Sequence, residues 1–205
     1  MDALMGIEAQ ALTCLRGGRV VFRDLSFQVE AGEVLAIEGA NGAGKTSLLR
    51  MVAGFLVPAA GAIRLRTKSG GQIFYDDERG KFAGWLGHHD AAKPQLTARE
   101  TLIFFARLYD VDEPAEPALE EAGLARAADL PCQFLSAGQK KRLALARLKL
   151  CQRPLWLLDE PLAALDANGK IFAASLIAAH CALGGIALIA THEALGLDCT
   201  KLALA

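Results

Sequence analysis

The sequence predicts an α/β fold with a parallel-sheet core and an inserted helical segment. Short, apolar, β-rich segments occupy residues 7–86 and return after residue 154, whereas residues 97–150 carry a helical pattern. After residue 154, two apolar strand-like segments flank one helix-length segment, which is the order of a βαβ unit. The 205 residues are enough for one domain with a small insertion.

The composition is that of a globular protein. The chain is 53% hydrophobic and 22% charged, which excludes a disordered or fibrous protein. Its 22 Lys and Arg against 23 Asp and Glu give a net charge of −1, which argues against a primary role on DNA or RNA. The cysteines are scattered, odd in number and without a CxxC pair, which argues against a disulfide framework or a structural zinc site: Cys14, Cys132, Cys151, Cys181 and Cys199.

The N-terminal elements are predicted as strands with one early helix. The β-rich segments 7–12, 20–29 and 33–38 are separated by glycine-containing turns, and the third ends in a glycine-rich loop. A helix is predicted over 45–53, with Gly54 placed to end it. Further strands are predicted over 62–66, 72–75 and 83–86.

The middle and the end are predicted from caps and apolar runs. Thr97 and Glu100 form a capping box for a helix through Tyr109, and two prolines, Pro114 and Pro117, punctuate the next connection. A buried strand, a helix and another strand follow, within residues 155–161, 168–183 and 186–190 respectively.

Residues 171–190 contain no Lys, Arg, Asp or Glu and approach the length of a bilayer span. His180 within this run, and Gly184-Gly185 dividing it, favour a buried helix followed by a buried strand. The N-terminus carries Asp2 and Glu8 and no long apolar run, so no signal peptide is expected. We therefore expect a soluble chain, one able to lie against a membrane.

Residues 39–46, GANGAGKT, match the phosphate-loop pattern G-x-x-x-x-G-K-[ST] between a predicted strand and a predicted helix. Glycines let the backbone wind around a phosphate chain, and the helix N-terminus supplies positive potential. Lys45 is expected to reach the β- and γ-phosphates, and the Thr46 hydroxyl to bind Mg²⁺. The predicted nucleotide-binding residues are Gly39, Ala40, Asn41, Gly42, Ala43, Gly44, Lys45, Thr46 and Ser47.

A second candidate element is the acidic pair that ends the apolar segment LWLLDEP, residues 155–161. Asp159 is expected to hold Mg²⁺ through its water shell, and Glu160 to orient and polarise the attacking water. An acidic pair after an apolar strand is also common in ordinary surface turns. The phosphate loop elsewhere in the chain favours the catalytic interpretation.

A third element, LSAGQK at residues 135–140, runs into the basic helix-like segment KKRLALARLKL. Together with LAALD at 162–166 and Thr191-His192, it follows the motif order of ABC-type ATPases, and the chain resembles that family over almost its whole length. As a structural alternative, the serine of LSAGQ also suits a simple helix cap.

The resemblance implies a single P-loop NTPase domain of ABC type over residues 1–205, with an N-terminal antiparallel β portion. It implies a core at 1–88 and 151–205, and a helical subdomain at about 89–150. It also implies ATP with Mg²⁺, a catalytic role for His192 in addition to Glu160, and Asp166 in the loop that follows the acidic pair. Two copies are expected to pair head to tail, each offering the partner's ATP the signature residues Leu135, Ser136, Ala137, Gly138 and Gln139.

Three positions depart from the family pattern. Ala137 stands where the family usually has glycine, and one methyl group there is expected to be tolerated. Arg16 falls where an adenine-stacking aromatic residue is expected, and a guanidinium plane can also stack on a base. His88, with His89 beside it, falls where most members have glutamine; we expect His88 at the nucleotide. A metal or haem role for the two histidines is the less favoured alternative, because no third ligand is visible.

Within the family, the LGHH and LTARETL segments and LSAGQKKRLALARL resemble the ATP-binding subunits of the bacterial cytochrome c maturation system. That resemblance implies a homodimer with a separate transmembrane subunit, peripheral at the cytoplasmic face of the inner membrane, with haem handled by partner proteins. The alternatives are an ABC ATPase for another cargo and a soluble assembly factor, for example in iron–sulfur biogenesis. Exposed apolar residues within 91–129 would favour a membrane partner over the soluble factor.

Overall fold

The computed structural model describes residues 3–73, 76–87 and 92–204. In chain order its strands and α-helices are β1 (Leu4–Arg16), β2 (Arg19–Glu30), β3 (Val34–Gly39), α1 (Lys45–Val52), β4 (Ala60–Thr67), β5 (Gln72–Ile73), α2 (Asp76–Arg79), β6 (Ala83–Leu86), α3 (Ala98–Leu108), α4 (Ala115–Glu121), α5 (Ala137–Cys151), β7 (Leu155–Asp159), α6 (Ala167–Ala182), β8 (Ile186–Ala190) and β9 (Thr200–Leu204). Short 3-10 helices lie at Ala125–Ala127 and Cys132–Phe134.

An antiparallel sheet with the order β2-β1-β4-β5 holds the N-terminal strands. The hairpin of β1 and β2 turns at Gly17 and Gly18, which have φ of 55° and 77°. The strands predicted over 7–12 and 20–29 are present and extend further in both directions. The register of β1 shifts beside Ala11, whose φ is 48°, so one long strand can curve over the core.

The second sheet is parallel throughout and has the order β6-β7-β8-β3-β9. All five residues of β7 and all five of β8 are buried, as expected for strands covered on both faces. Alternate residues of β7 show the two faces: Leu155 and Leu157 join the core that contains α1, whereas Trp156 and Leu158 join the core that contains α5 and α6. This architecture is the α/β class that the sequence predicted.

The edge strand β9 was not predicted. It lies parallel to β3, with Gly39 opposite Leu204. Its sequence, TKLAL, is short and has no clear alternation, and only one of its residues, Leu204, is fully buried. Pairing with β3 therefore determines that this segment is a strand more than its own hydrophobic pattern does.

Helices α3, α4 and α5 enclose an apolar cluster of their own, with Leu102, Leu119 and Leu143 among its buried members. The capping box predicted for α3 is confirmed: the Thr97 hydroxyl accepts from the Glu100 amide, and the Glu100 carboxylate accepts from the Thr97 amide. The prediction that Pro114 and Pro117 both lie in the connection after α3 holds for Pro114, the N-cap of α4, and is wrong for Pro117, which lies in the first turn of α4. Proline is tolerated in a first helical turn, where the amides have no helical acceptor. The division of the chain at about 89 and 150 stays a prediction.

The uncharged run 171–190 forms most of α6 and then β8, as predicted. No helix within the described ranges has both the length and the apolar character needed to cross a bilayer.

Candidate nucleotide-binding site

The glycine-rich loop connects the end of β3 to the start of α1, as the sequence predicted. Two of its glycines are required by close packing. A Cβ on Gly39 would lie 2.5 Å from the carbonyl oxygen of Leu204, and one on Gly44 would lie 2.7 Å from Cγ1 of Val21. Gly44 also has a backbone φ of 102°, which residues other than glycine rarely adopt. The neighbouring strands thus hold the loop close to the sheet.

The N-terminus of α1 is open to an anion. No side chain caps it, because Gly44 occupies the N-cap position, and no acidic residue lies in its first turn. The first amides of a helix lack partners within the helix, and the helix dipole places partial positive charge at the same point. The loop and this helix end therefore provide the environment that a phosphate chain requires.

Lys45 is buried, with only 8% of its surface exposed. Its ammonium donates to the carbonyl oxygens of Gly39 at 2.6 Å and Ala40 at 3.3 Å. The charge is therefore held across the phosphate loop itself. Phosphate oxygens placed in the loop would lie within reach of the same ammonium group, with stronger, charge-assisted hydrogen bonds.

Thr46 and Asp159 meet although 113 residues separate them. The Thr46 hydroxyl donates to Oδ2 of Asp159 at 2.8 Å. Asp159 is the last residue of β7 and is 6% exposed, so a buried carboxylate faces the start of α1. A hydroxyl and a carboxylate oxygen suit Mg²⁺, which in such sites is completed by water and phosphate oxygens. The residues present therefore fit the ion that the sequence predicted.

Glu160 and His192 form a further side-chain contact near the phosphate loop. Oε2 of Glu160 lies 2.9 Å from Nδ1 of His192, with 21% and 61% of the two side chains exposed. Glu160 has φ of 50°, and its amide donates to the carbonyl of Ala190 at the end of β8. This left-handed turn carries the Glu160 side chain away from Asp159. The acidic pair thus serves two positions, one beside Thr46 and one beside His192.

Beside His192 lies an ion pair of two residues that the sequence analysis did not single out, Lys170 in the first turns of α6 and Glu193. Thr191, which the motif already included, is 1% exposed, and its amide donates to the Ile37 carbonyl at 3.2 Å. A hydrogen bond with Lys170 holds the pKa of Glu193 below its usual value. Only the position of Glu193 beside the predicted His192 could have drawn attention to the pair.

The signature segment forms the N-terminus of α5. The Ser136 hydroxyl accepts from the Gln139 amide, and the Gln139 side chain accepts from the Ser136 amide, which confirms the serine cap. The loop after Glu160 ends at Asp166, whose carboxylate caps α6 through the Gly169 amide at 2.8 Å. The first turn of α5 and this loop are in contact, since a Cβ on Gly138 would lie 2.9 Å from the Ala164 oxygen.

Arg16 is the last residue of β1 and is exposed. Burial raises the pKa of the nearby Cys14 thiol, while a hydrogen bond with Ser47 and the charge of Arg16 act in the opposite direction. Arg16 is therefore close to the residue that contacts the start of α1. The predicted nucleotide contact His88, and its neighbour His89, lie outside the described residues.

A family model described as "ABC transporter" matches residues 22–163, from β2 to the turn after Glu160. The chain belongs to the ABC transporter family. It is an ABC-type ATPase, and its nucleotide is ATP. The resemblance inferred from the motifs is confirmed.

Among ABC ATPases, two curated relatives carry the name "Cytochrome c biogenesis ATP-binding export protein CcmA". The protein of Rhodopseudomonas palustris (strain BisB5) is 48% identical over 195 residues, 94% of either chain. The protein of Dechloromonas aromatica (strain RCB) is 47% identical over 190 residues, 91% of this chain and 92% of that one.

Two solved structures share the fold of this ABC ATPase. One is an ATP-binding subunit of an ABC transporter, with a TM-score of 0.81, 24% identity, and coverage of 97% of this chain and 85% of that one. The other is a bacterial Atm1-family ABC exporter with ATP bound, with a TM-score of 0.82, 23% identity, and coverage of 100% and 38%.

Proposed function

We propose that this ABC ATPase is the ATP-hydrolysing subunit of a membrane complex for cytochrome c biogenesis. The observation that carries the proposal is the 48% identity, over 94% of both chains, to a relative named "Cytochrome c biogenesis ATP-binding export protein CcmA".

ATP binding follows from the phosphate loop. The amides at the start of α1 and the ammonium of Lys45 bind the β- and γ-phosphates. Thr46 and Asp159 hold the Mg²⁺ ion, which neutralises phosphate charge when bound. Arg16 contributes its guanidinium plane to the adenine side of the loop, and His88 is assigned to the γ-phosphate side.

Hydrolysis follows from the Glu160–His192 contact. Glu160 accepts a hydrogen bond from the attacking water and polarises it toward the γ-phosphorus, while the 2.9 Å contact with His192 orients the carboxylate. Water adds to phosphorus as the bond to the bridging oxygen breaks, and the products are ADP and phosphate. Positioning and electrostatic stabilisation supply most of the rate of such transfers.

A complete site requires two copies of the chain. Ser136 and the amides of Ala137 and Gly138 start α5, and the resemblance to ABC ATPases places them on the partner's γ-phosphate. A two-fold axis uses each surface twice, with one ATP at each phosphate loop. The homodimer therefore closes on two nucleotides, and Asp166 lies in the loop that each copy brings to the junction.

An apolar surface on α3 supports a membrane partner. Phe104 is 42% exposed and Leu108 is 60% exposed, and both line a groove of about 500 Å³ together with Leu96 and Ile103. Exposed apolar residues in this part of the chain favour docking of a transmembrane subunit over the soluble assembly factor. The ATPase is then peripheral, at the cytoplasmic face of the inner membrane, and its partner proteins handle the haem.

The first experiment identifies the partner by co-purification of the full-length chain from detergent-solubilised membranes. Phe104→Asp together with Leu108→Asp should release the membrane subunit, since two buried charges would replace apolar contacts. Leu183→Asp is the matched control, because Leu183 is 90% exposed and lies at the far end of α6. Recovery of only soluble proteins with the wild-type chain would favour the assembly factor.

The second experiment tests the cargo. Cells that carry only the Glu160→Gln form should attach haem to its periplasmic chaperone, accumulate it there and fail to mature c-type cytochromes. Haem-stained gels measure both species. Normal c-type cytochromes, alongside a measured loss of ATPase activity, would reject the cytochrome c role and leave an ABC ATPase for another cargo.

A further inference from the structure

Lys170 and Glu193 form an ion pair between α6 and the segment that follows β8. Neither residue belongs to one of the motifs. Glu193 is the residue directly after His192, and His192 is the residue that contacts Glu160. The pair therefore fixes the backbone on one side of His192.

Thr191 fixes the backbone on the other side. Its hydroxyl accepts from the Glu193 amide at 3.0 Å and donates to the Glu193 carbonyl at 3.1 Å, so it closes a tight turn around His192. The His192 side chain itself is 61% exposed. Because little packing holds the imidazole, its position depends on the two residues that flank it.

Together with the loop after Glu160, these contacts form a closed ring of neighbouring residues, which is called the circuit below. That loop ends at Asp166, which caps α6, and the amide of Lys170 donates to the Asp166 carbonyl at 2.9 Å. From Lys170 the circuit continues through Glu193 to His192 and back to Glu160. Residues 160–170 and residues 192–193 are thus joined by two side-chain contacts, Glu160 with His192 and Lys170 with Glu193.

We propose that the Lys170–Glu193 pair positions His192 against Glu160 for ATP hydrolysis. This inference rests on the proposed roles of Glu160 and His192. Lys170 touches no reacting atom and acts through Glu193, so it is a positioning residue. Its ammonium and the Glu193 carboxylate hold the turn closed in the conformation that orients the imidazole.

The pair can be removed without unfolding the protein. About a third to two fifths of each side chain is exposed, 43% for Lys170 and 32% for Glu193, and such pairs contribute little to global stability. A small displacement of a catalytic group nevertheless lowers the rate strongly. The loss should therefore fall on kcat and leave both ATP binding and the melting temperature nearly unchanged.

The experiment measures kcat, KM for ATP and Tm for the full-length chain together with the subunits that co-purify with it. Lys170→Met and Glu193→Gln should each lower kcat about five- to tenfold, with KM within about twofold of wild type. The double variant should be no worse than either one, because both remove the same contact. Lys170→Arg keeps the pair and should restore kcat.

Lys149→Met is the matched control, since Lys149 forms an exposed pair with Glu121 at the far end of α5. An equal loss of kcat in that control would overturn the inference, as would wild-type kcat in Lys170→Met. His192→Ala and Glu160→Gln, measured in parallel, separate the two levels: if they are inactive while Lys170→Met is fully active, only the positioning role fails. If His192→Ala and Glu160→Gln are themselves fully active, the proposed roles of Glu160 and His192 fail as well.

Discussion

Gly138 lies so close to Ala164 that a Cβ on the glycine would come within 2.9 Å of the Ala164 carbonyl oxygen. Ala164, with φ of 64°, belongs to the loop that leads from Glu160 to Asp166. One chain thus joins the residue proposed to activate water at its own ATP to the helix start proposed to bind the partner's ATP. The two segments pack directly against each other at this point.

Gly138→Ala is therefore expected to lower ATPase activity at least about tenfold, because the new methyl group displaces the backbone of α5 or of the loop. ATP binding by the monomer should not change. Ala137→Gly is the matched control, since Ala137 is exposed, and it should retain activity. Steady-state phosphate release and equilibrium ATP titration measure the two quantities.

Lys45→Ala should weaken ATP binding about 10- to 100-fold, which corresponds to the loss of one or two charge-assisted hydrogen bonds. Isothermal titration with ATP measures the affinity. Lys149→Ala removes a lysine far from the phosphate loop and should bind normally. Unchanged affinity in Lys45→Ala would exclude Lys45 from the phosphate site.

Glu160→Gln should leave ATP binding intact and reduce turnover by two or more orders of magnitude, because the water loses its orienting carboxylate. The uncleaved γ-phosphate should then hold two copies together. Gel filtration with ATP should show a dimer for the variant and a monomer without nucleotide. A monomer in ATP, combined with wild-type turnover, would remove Glu160 from the mechanism.

Ser136→Arg should abolish ATPase activity while the monomer still binds ATP, since the added bulk and charge fall on the partner's site. Mixing it with Lys45→Ala protein tests the composite site directly. Such a mixed dimer retains one phosphate loop facing one intact signature segment, so at most half of the sites can work. Full inhibition of ATP binding in Ser136→Arg alone would instead place Ser136 at its own chain's nucleotide.

Stability is expected to fall as the pH drops from 6.5 toward 4, in part because of His180. Burial lowers the pKa of His180 to about 4, against weaker opposing contacts with the Ile186 and Pro154 carbonyls. The unfolded chain takes up a proton near pH 6.5 that the folded chain takes up only near pH 4, so acid favours unfolding.

His180→Phe keeps an aromatic ring against Trp156, on which His180 stacks at 4.0 Å, and removes this titration. Between pH 7.5 and pH 5, the free energy of unfolding should fall by about 2 kcal/mol less in the variant than in wild type. Urea unfolding at both pH values measures the difference. Equal losses in the two proteins would show that His180 titrates normally.

The sequence was sufficient for the parts of the site that rest on local chemistry. The phosphate loop needs glycines at fixed spacing, and Thr97 and Ser136 are residue types that favour the N-cap position of a helix. The apolar run before Asp159 likewise predicts a buried strand without knowledge of its neighbours.

Contacts between distant segments could not be derived in the same way. The pairing of β9 with β3, and the ion pair of Lys170 with Glu193, depend on where the chain returns, and neither segment carries a pattern of its own. For Pro117 the local signal gave the wrong prediction. Proline breaks helices in their interior, but it is tolerated in the first turn, where Pro117 lies in α4. Local sequence signals thus predict the individual helices and strands. The order of strands in the sheet, with β7 beside β8, brings Glu160 close to His192.

The contact between Gly39 and the Leu204 carbonyl has a consequence for synthesis on the ribosome. The strand that flanks the phosphate loop, β9, is made about 160 residues after β3, the strand that begins the loop. A nascent chain therefore exposes this edge of β3 until β9 has been made, and unpaired strand edges promote aggregation. A ribosome stalled before residue 200 would release a chain that lacks β9, so we expect ATP affinity to be acquired only after β9 has been made.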